Sequence, residues 1–359
     1  MVTEKQVIAA LDNVMDPELQ KSITELGMVR DVNIRGDQVE VTLALTTLAC
    51  PLSGSIAEDV RQAVLALDGV GKVDVKLEEM TDEERARAFA SVGSSPQQEE
   101  GMAAHLNRIQ HVLAVMSGKG GVGKSLVTAL LAAALRRKGL RVGILDADIT
   151  GPSIPKILGI SERPSSTPIG IAPVKSKTGI RVMSINLLLP NEDDAVIWRG
   201  PLIGGAIKQF WGDVFWGDLD YLLIDLPPGT ADAPLTVMQS LPLNGIILVT
   251  SPQELAGMVV RKAAQMALQL HVPMLGIVEN MSYAVCPHCG ERLEIFGPSH
   301  TAEAAALMGV PVLGQIPIEP RIATLSDEGE IESYIPEGFE AAVDELLKRV
   351  PEEQTKPIL

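Results

Sequence analysis

A glycine-rich loop carries the clearest chemistry in this sequence. The stretch SGKGGVGKS follows the apolar run HVLAVM and satisfies the pattern G-x-x-x-x-G-K-[ST] from Gly118 to Ser125. Backbone N–H groups of such a loop close around phosphates, and the start of the following helix adds positive potential. The loop residues predicted to surround the phosphates are Gly118, Lys119, Gly120, Gly121, Val122 and Gly123.

Two polar side chains at the end of the loop complete the predicted phosphate site. Lys124 is expected to pair with the outer phosphate oxygens and Ser125 to ligate Mg²⁺, so ATP and Mg²⁺ are the expected cofactors. Glycine loops also make ordinary turns between a strand and a helix. The order of strand, loop and helix favours the nucleotide site over that alternative.

Aspartates at two strand ends extend the predicted site. Asp146 and Asp148 lie in ILDADITGPS, and Asp225 ends the apolar run in LLIDLPPGTAD. Phosphoryl transfer needs a carboxylate near the metal and a group that orients the attacking water. Asp225 is expected to contact the metal ion through a bound water. Asp148 is the candidate for positioning the attacking water. Strand-end aspartates are also common as helix caps or turn residues, and for Asp146 the two readings are evenly matched.

A second lysine within the loop, Lys119, is not required by the phosphate cradle itself. The stretch KGGVGKS resembles the deviant Walker A loop of SIMIBI-class ATPases. The resemblance implies that Lys119 reaches across a dimer interface to the partner's nucleotide, with Lys119, Lys124 and Asp148 as catalytic residues. The alternative is a solvated lysine that attracts nucleotide by its charge alone.

Two of the three cysteines, Cys286 and Cys289, lie in CPHCG, a spacing typical of a metal knuckle. A tetrahedral thiolate site needs about four ligands, and two chains related by a two-fold axis would supply them. Zinc and a [4Fe–4S] cluster fit such a site equally well. Inert core cysteines are the alternative. His288, inside the two-residue spacer, is expected to be solvated.

The elements that must position these residues fall into two predicted domains. A small α+β domain is expected over residues 1–90, a flexible linker over 91–107 and a larger domain over 108–359. In the larger domain nearly continuous apolar runs alternate with helical stretches, which predicts an α/β fold with a doubly wound, mostly parallel sheet. Ligands of such sheets bind at the carboxyl ends of the strands.

Composition limits the classes of partner. The chain of 359 residues is 46% hydrophobic and carries a formal charge of −16, which argues against nucleic acid or an anionic membrane as the main partner. Three cysteines do not form a disulfide framework. The N-terminus lacks a signal-peptide pattern and the apolar runs are too short to span a bilayer. We therefore expect a soluble protein of a reducing cytoplasm.

The ordered set of motifs is more specific than any one of them. From Gln110 to the end of the chain, KGGVGKS, DADITGPSIPKILG, LLIDLPPGTAD, GIVENMS and CPHCG together resemble the Mrp/ApbC-type iron–sulfur cluster carriers. The resemblance implies that Cys286 and Cys289 bind a labile [4Fe–4S] cluster shared by a homodimer. The cluster would come from an upstream scaffold and pass to apo-proteins. Asn280 matches the family position that contacts adenine.

The N-terminal domain resembles the PaaD-like domain of iron–sulfur assembly factors. The resemblance rests on DPELQKSITELGMVRDVNI and on ALTTLACP, where Cys50 lies at the position of that family's reactive cysteine. Cys50 is equally compatible with transient cluster binding and with packing beneath the following helix.

Three other functions share parts of this pattern. A partitioning or membrane-placement ATPase would leave CPHCG without a purpose. An ATP-driven electron donor resembling the dinitrogenase reductase iron protein has widely separated cluster cysteines. A dimeric ATPase stapled by zinc remains compatible with CPHCG.

Overall fold

The computed structural model describes residues 2–15, 22–45, 53–67, 69–81, 102–189, 191, 200–230 and 232–357. The chain divides into two compact units, Met1–Gln98 and Glu99–Leu359. Cys50 and residues 91–101 of the predicted linker lie outside the described residues. Among the described residues, no helix is both long enough and apolar enough to cross a membrane.

Among its described residues, the first unit is a three-stranded sheet with two helices. Its elements are α1 (Glu4–Leu11), β1 (Val29–Arg35), β2 (Gln38–Leu45), α2 (Ser53–Leu65) and β3 (Lys72–Glu79). Strands β1 and β2 pair antiparallel across a turn at Gly36, whose φ of +67° favours glycine, and β3 runs parallel to β2. The predicted α+β class of this small domain is confirmed.

The second unit alternates strands and helices. Its strands are β4 (Arg108–Ser117), β5 (Val142–Asp146), β6 (Ser165–Thr167), β7 (Gly170–Ala172), β8 (Val174–Lys175), β9 (Arg181–Ser184), β10 (Asp218–Asp225), β11 (Gly245–Thr250), β12 (Met274–Glu279), β13 (Ala284–Val285), β14 (Arg292–Leu293) and β15 (Val312–Gln315). Its helices are α3 (Met102–Leu106), α4 (Lys124–Arg137), α5 (Ile154–Ile157), α6 (Gly200–Gly212), α7 (Asp232–Ser240), α8 (Glu254–Gln269), α9 (Thr301–Met308), α10 (Pro320–Asp327) and α11 (Phe339–Leu347), with 3-10 turns at Ile185–Leu187 and Ile331–Ser333.

Over the described residues, one eight-stranded sheet organises the second unit, in the order β15-β12-β11-β4-β10-β5-β9-β8. Neighbouring strands from β15 to β9 pair parallel, and β8 adds an antiparallel edge. Helices α4, α5, α10 and α11 pack on one face, and α6 to α9 pack on the other. The central strands are largely apolar because both faces of the sheet are covered, and the doubly wound fold is confirmed.

Part of the predicted linker is helical in the structure. Residues assigned to the linker form α3, and Ala103 within it is fully buried. The Asn107 side chain also accepts a hydrogen bond of 2.9 Å from the Gly217 backbone N–H. The described part of the second unit therefore begins with a helix before β4.

The fold brings several strand ends to one edge of the sheet. Strand β4 lies between β10 and β11, so the loop after β4 emerges at the centre of the parallel sheet. In the register of β10 and β5, Asp225 lies directly opposite Asp146. Because parallel strands end at the same edge, this arrangement forms the crevice that binds ligands in such sheets.

Candidate functional site

The phosphate loop occupies the turn between β4 and α4. Gly121 and Gly123 both have a φ of +79°, a backbone conformation that is energetically unfavourable for residues with a Cβ atom. The Ser117 hydroxyl donates to the Lys119 carbonyl at 3.1 Å, and the Gly229 N–H donates to the Ser117 carbonyl at 2.9 Å. The loop is thereby held at its base.

Lys124 joins the predicted phosphate and metal residues. Its side chain is only 6% exposed, and Nζ lies 2.7 Å from Oδ2 of Asp225 and 3.9 Å from Oδ2 of Asp148. Nζ also donates to the Ser125 hydroxyl at 3.2 Å. The structure therefore brings together four residues that the sequence assigned to one site. The positive charge of Lys124 is balanced by the two carboxylates.

Asp225 is fully buried and accepts hydrogen bonds from the first turns of α4. Its Oδ2 accepts from the Ser125 hydroxyl at 2.5 Å, and its Oδ1 accepts from the Thr128 hydroxyl at 2.7 Å. Sequence reasoning missed Thr128. The available signal was its position four residues after Lys124, which places both side chains on one face of the helix.

Asp146 is the second fully buried carboxyl group of the site. Burial, followed by the neighbouring charge of Asp225, raises the pKa of Asp146 to about 8. Its oxygens accept from the Ser184 hydroxyl at 3.0 Å and from the backbone N–H groups of Asp148 at 3.2 Å and Ile154 at 3.4 Å. Asp146 therefore supports the backbone of the crevice through these hydrogen bonds. The sequence had not decided between a site residue and a helix cap or turn residue at this position.

Asp148 stands at the rim of the same crevice. It is 9% exposed, and burial raises its pKa, against the opposing effect of Lys124. The Thr150 hydroxyl donates to Oδ1 of Asp148 at 3.3 Å. A partly accessible carboxylate that is held in this way has the geometry needed to orient a water molecule.

Lys119 contacts a side chain of its own chain rather than another predicted site residue. Its ammonium group donates a hydrogen bond to the side-chain carbonyl of Gln253, the residue that precedes α8. Sequence reasoning did not single out Gln253. The contact keeps Lys119 half-buried at the edge of the loop, and its predicted role toward a partner's nucleotide stays a prediction.

Asn280 contacts the phosphate loop directly. Its side-chain NH₂ donates to the Val122 carbonyl at 2.9 Å, and its backbone N–H donates to the Thr250 carbonyl at 2.8 Å. Asn280 is 2% exposed, and a Cβ atom on Gly123 would lie 2.1 Å from its side-chain nitrogen. Asn280 thus fixes the backbone of the loop, and its contact with adenine stays a prediction.

The cysteines lie on a short hairpin after β12. Strands β13 and β14 pair antiparallel, and the Cys286 N–H donates to the Glu291 carbonyl at 2.9 Å. The turn closes with a 2.9 Å bond from the Gly290 N–H to the Cys286 carbonyl. Both thiols are free, with Cys286 half-buried and Cys289 exposed.

The hairpin backbone favours the thiolate form of Cys286. Hydrogen bonds from the backbone of Cys289, then from that of His288 and from the Cys289 thiol, lower the pKa of Cys286. The thiolate is the form that binds metal and attacks electrophiles. The chemistry of this donor pair therefore fits a thiophilic metal or cluster.

Four exposed apolar side chains lie on the cysteine hairpin and directly after it. Val285 and Ile295 are 50% and 56% exposed, and Leu293 and Phe296 are 42% and 39% exposed. We call these four residues the apolar rim. Within the described part of the chain, no group of three or more His, Cys, Asp or Glu residues is placed to hold a metal ion. Over these residues the hairpin region supplies two thiols and four exposed apolar side chains.

A phosphate loop between the central strand of a parallel sheet and a helix defines this protein as a P-loop NTPase. A family model described as NUBPL iron-transfer P-loop NTPase matches residues 108–351, and one described as iron-sulfur cluster assembly protein matches residues 4–75. This chain belongs to the family of iron-transfer P-loop NTPases, with an N-terminal iron–sulfur cluster assembly domain.

Two curated relatives carry the name iron-sulfur cluster carrier protein. The relative from Synechocystis sp. is 42% identical over 335 residues, which cover 92% of this chain and 91% of the relative. The relative from Methanocaldococcus jannaschii is 47% identical over 260 residues, which cover 71% of this chain and 90% of the relative. The resemblance to the Mrp/ApbC-type carriers is confirmed, and neither the positioning ATPase nor the electron donor is favoured.

A solved structure agrees with the fold and with nucleotide binding. A nucleotide-binding protein from Archaeoglobus fulgidus, in complex with ADP, is 47% identical with a TM-score of 0.58. The match covers 68% of this chain and 93% of that protein. The predicted P-loop fold is therefore confirmed.

Proposed function

We propose that this protein is an ATP-hydrolysing carrier that holds a [4Fe–4S] cluster as cargo between two copies of the chain. It receives the cluster from an upstream scaffold and delivers it to apo-proteins. The observation that carries the proposal is the exposed hairpin with two free thiols in the same unit as the phosphate loop. Exposed ligands suit a cluster that must leave.

The thiol count supports a homodimer. Cys286 and Cys289 supply half of the ligands of a four-thiolate site, and a two-fold axis through the hairpins supplies the other half. The apolar rim, on the same hairpin and just after it, fits an interface that buries this surface, because exposed apolar patches mark association sites. The relatives' name supports transfer to acceptor proteins.

The phosphate loop supports ATP hydrolysis. The Ser125 hydroxyl and the Asp225 carboxylate provide the oxygen ligands that Mg²⁺ prefers, so these residues fit the ion. When bound with nucleotide, Mg²⁺ neutralises charge on the phosphate oxygens. Lys124 pairs with the outer phosphate oxygens, and Asp148 orients the attacking water. Lys119 leaves Gln253 to stabilise the nucleotide of the partner subunit.

Anaerobic reconstitution of the full chain tests the proposal. Iron, sulfide and zinc are measured per chain, together with the molar mass in solution and the visible spectrum. We expect about four iron and four sulfide per dimer and a broad absorbance that moves to an apo-acceptor protein. Zinc in a colourless dimer, or a full complement of iron in a stable monomer, refutes the proposal.

Two variants sharpen the test. Cys286→Ser removes one thiolate per chain and should abolish cluster binding, while nucleotide affinity reports whether the variant is folded. Cys50→Ser is the matched control, because a cluster held by two hairpins does not need Cys50. Loss of the cluster in Cys50→Ser would move the ligand set away from the hairpin dimer.

A further inference from the structure

A buried glutamate at the end of β12 collects four side-chain hydrogen bonds. Glu279 has no exposed surface, and its carboxylate oxygens accept from Ser299 at 2.5 Å and from Gln315 at 2.8 Å. The hydroxyls of Ser282 and Thr301 donate to the same carboxylate. A carboxylate offers acceptors only, so it satisfies several donors at once. None of the contacts that we assign to nucleotide or cluster chemistry uses this group.

Three of the four donors bracket the cysteine hairpin. Ser282 lies just before β13, whereas Ser299 and Thr301 follow β14, and Thr301 is the first residue of α9. The two ends of the segment that carries Cys286 and Cys289 therefore meet at the Glu279 carboxylate. This carboxylate fixes the base from which the hairpin projects.

The next residue along the chain contacts the phosphate loop. Asn280 donates to the Val122 carbonyl and packs against Gly123, as described above. Met281, which follows, has a φ of +55°, a backbone conformation that residues with a Cβ atom adopt rarely. Glu279, Asn280 and Met281 thus form a short segment that contacts the phosphate loop at Asn280 and the ends of the hairpin at Glu279.

We propose that Glu279 is a positioning residue that couples the nucleotide state of the phosphate loop to the exposure of the hairpin thiols. This inference rests on the proposed function, because the coupling would connect nucleotide binding to the hairpin that holds the cluster. The route consists of contiguous contacts, from the loop carbonyl through Asn280 and Glu279 to both ends of the hairpin. Energetic coupling between two sites requires such a physical connection or a shared two-state element.

Thiol reactivity measures this coupling in the full chain without any cluster. The alkylation rates of Cys286 and Cys289 by iodoacetamide are followed by peptide mass spectrometry, alone and with saturating Mg·ADP or Mg·ATPγS. In the unmodified chain we expect nucleotide to change these rates about fivefold or more. In Glu279→Gln the ratio of the alkylation rate with nucleotide to the rate without it should lie within about twofold of one.

The chain offers a matched control at the opposite edge of the sheet. Glu332 is a second buried glutamate that accepts from hydroxyl groups, those of Ser176 and Thr178, and it contacts neither the loop nor the hairpin. Glu332→Gln should keep the nucleotide-dependent ratio of the unmodified chain. A purely structural effect of losing a buried carboxylate would alter both variants alike.

A milder variant protects the test against misfolding. Thr301→Val keeps the side-chain shape and removes one of the donors, so it should lower the ratio by less than Glu279→Gln does. A folded Glu279→Gln chain with the ratio of the unmodified chain overturns the proposal. A nucleotide-independent rate in the unmodified chain does so as well. Failure to reconstitute a cluster refutes the proposed function instead, since the alkylation assay needs no cluster.

Discussion

Replacing Gly123 by alanine should destabilise the second unit through the contact between the phosphate loop and Asn280. Gly123 has a φ of +79°, and the left-handed conformation costs a residue with a Cβ atom about 1–2 kcal/mol. The added Cβ would also lie 2.1 Å from the Asn280 side-chain nitrogen, a distance that forces one group to move.

The second part of the effect comes from a buried hydrogen bond. If the Asn280 side chain moves away, its 2.9 Å bond to the Val122 carbonyl is lost in a place where water does not replace it. Leaving such a group unsatisfied costs about 1–3 kcal/mol. The expected loss of unfolding free energy for Gly123→Ala is therefore about 2–5 kcal/mol.

Gly121 supplies a control with the same backbone strain. Its φ is also +79°, but a Cβ atom there would meet no other atom within 4 Å. Gly121→Ala should lose only about 1–2 kcal/mol, so the difference between the two variants isolates the clash with Asn280.

A double-mutant cycle provides the assay. Unfolding by urea is followed by tryptophan fluorescence, because all three tryptophans, Trp198, Trp211 and Trp216, belong to the second unit. In an Asn280→Ala background, the effect of Gly123→Ala should shrink to the backbone strain alone, which gives a coupling energy of about 1–3 kcal/mol. Strictly additive effects would refute the reasoning, since they would mean that the two residues do not interact.

Two further predictions concern the charges of the site. Because the pKa of Asp146 is raised to about 8, the folded state holds a proton that the unfolded chain loses above about pH 4. This contribution to the unfolding free energy therefore falls as pH rises toward 8, by up to about 1.4 kcal/mol per pH unit. Asp146→Asn should flatten that slope in urea titrations, and an unchanged slope would contradict the assignment. Mixing inactive Lys119→Ala and Lys124→Ala chains should restore about a quarter of wild-type ATP turnover, because half of random dimers contain one complete site; no recovery would mean that Lys119 does not act across subunits.

The main sheet was predictable because its strands are covered on both faces. Continuous apolar runs such as LLIDL mark β10, and the runs at β4, β5, β11 and β12 are equally clear. The short pieces were not predicted. Strand β8 has two residues and β6 three, too few for any periodicity to develop. Their positions follow from the neighbouring chain rather than from their own residues.

The site was predictable where function imposes a local motif. Lys124, Ser125, Asp148 and Asp225 converge as their motifs indicated. Residues that support them carry no local signal, because they come from distant segments. Ser184, for example, reaches Asp146 from β9.

The same limit applies to the link between the loop and the hairpin. The motif GIVENMS drew attention to Asn280 through a family resemblance, whereas nothing local marks its neighbour Glu279. The donors of Glu279 lie up to 36 residues away, as Gln315 does, so only the folded chain brings them to one carboxylate. A sequence read by itself identifies reactive groups better than the groups that hold them.

Two routes can connect nucleotide to cargo in this protein, and they differ in how they depend on concentration. In the proposed dimer, a cluster shared between two hairpins and nucleotides bound between two loops would both favour association, so each would strengthen the other by mass action. The contacts through Asn280 and Glu279 lie within one chain and do not need a partner. The nucleotide dependence of thiol alkylation should therefore persist when the chain is diluted until it is monomeric. Because the dimer route vanishes on that dilution, a dependence that disappears with it would assign the whole coupling to the interface.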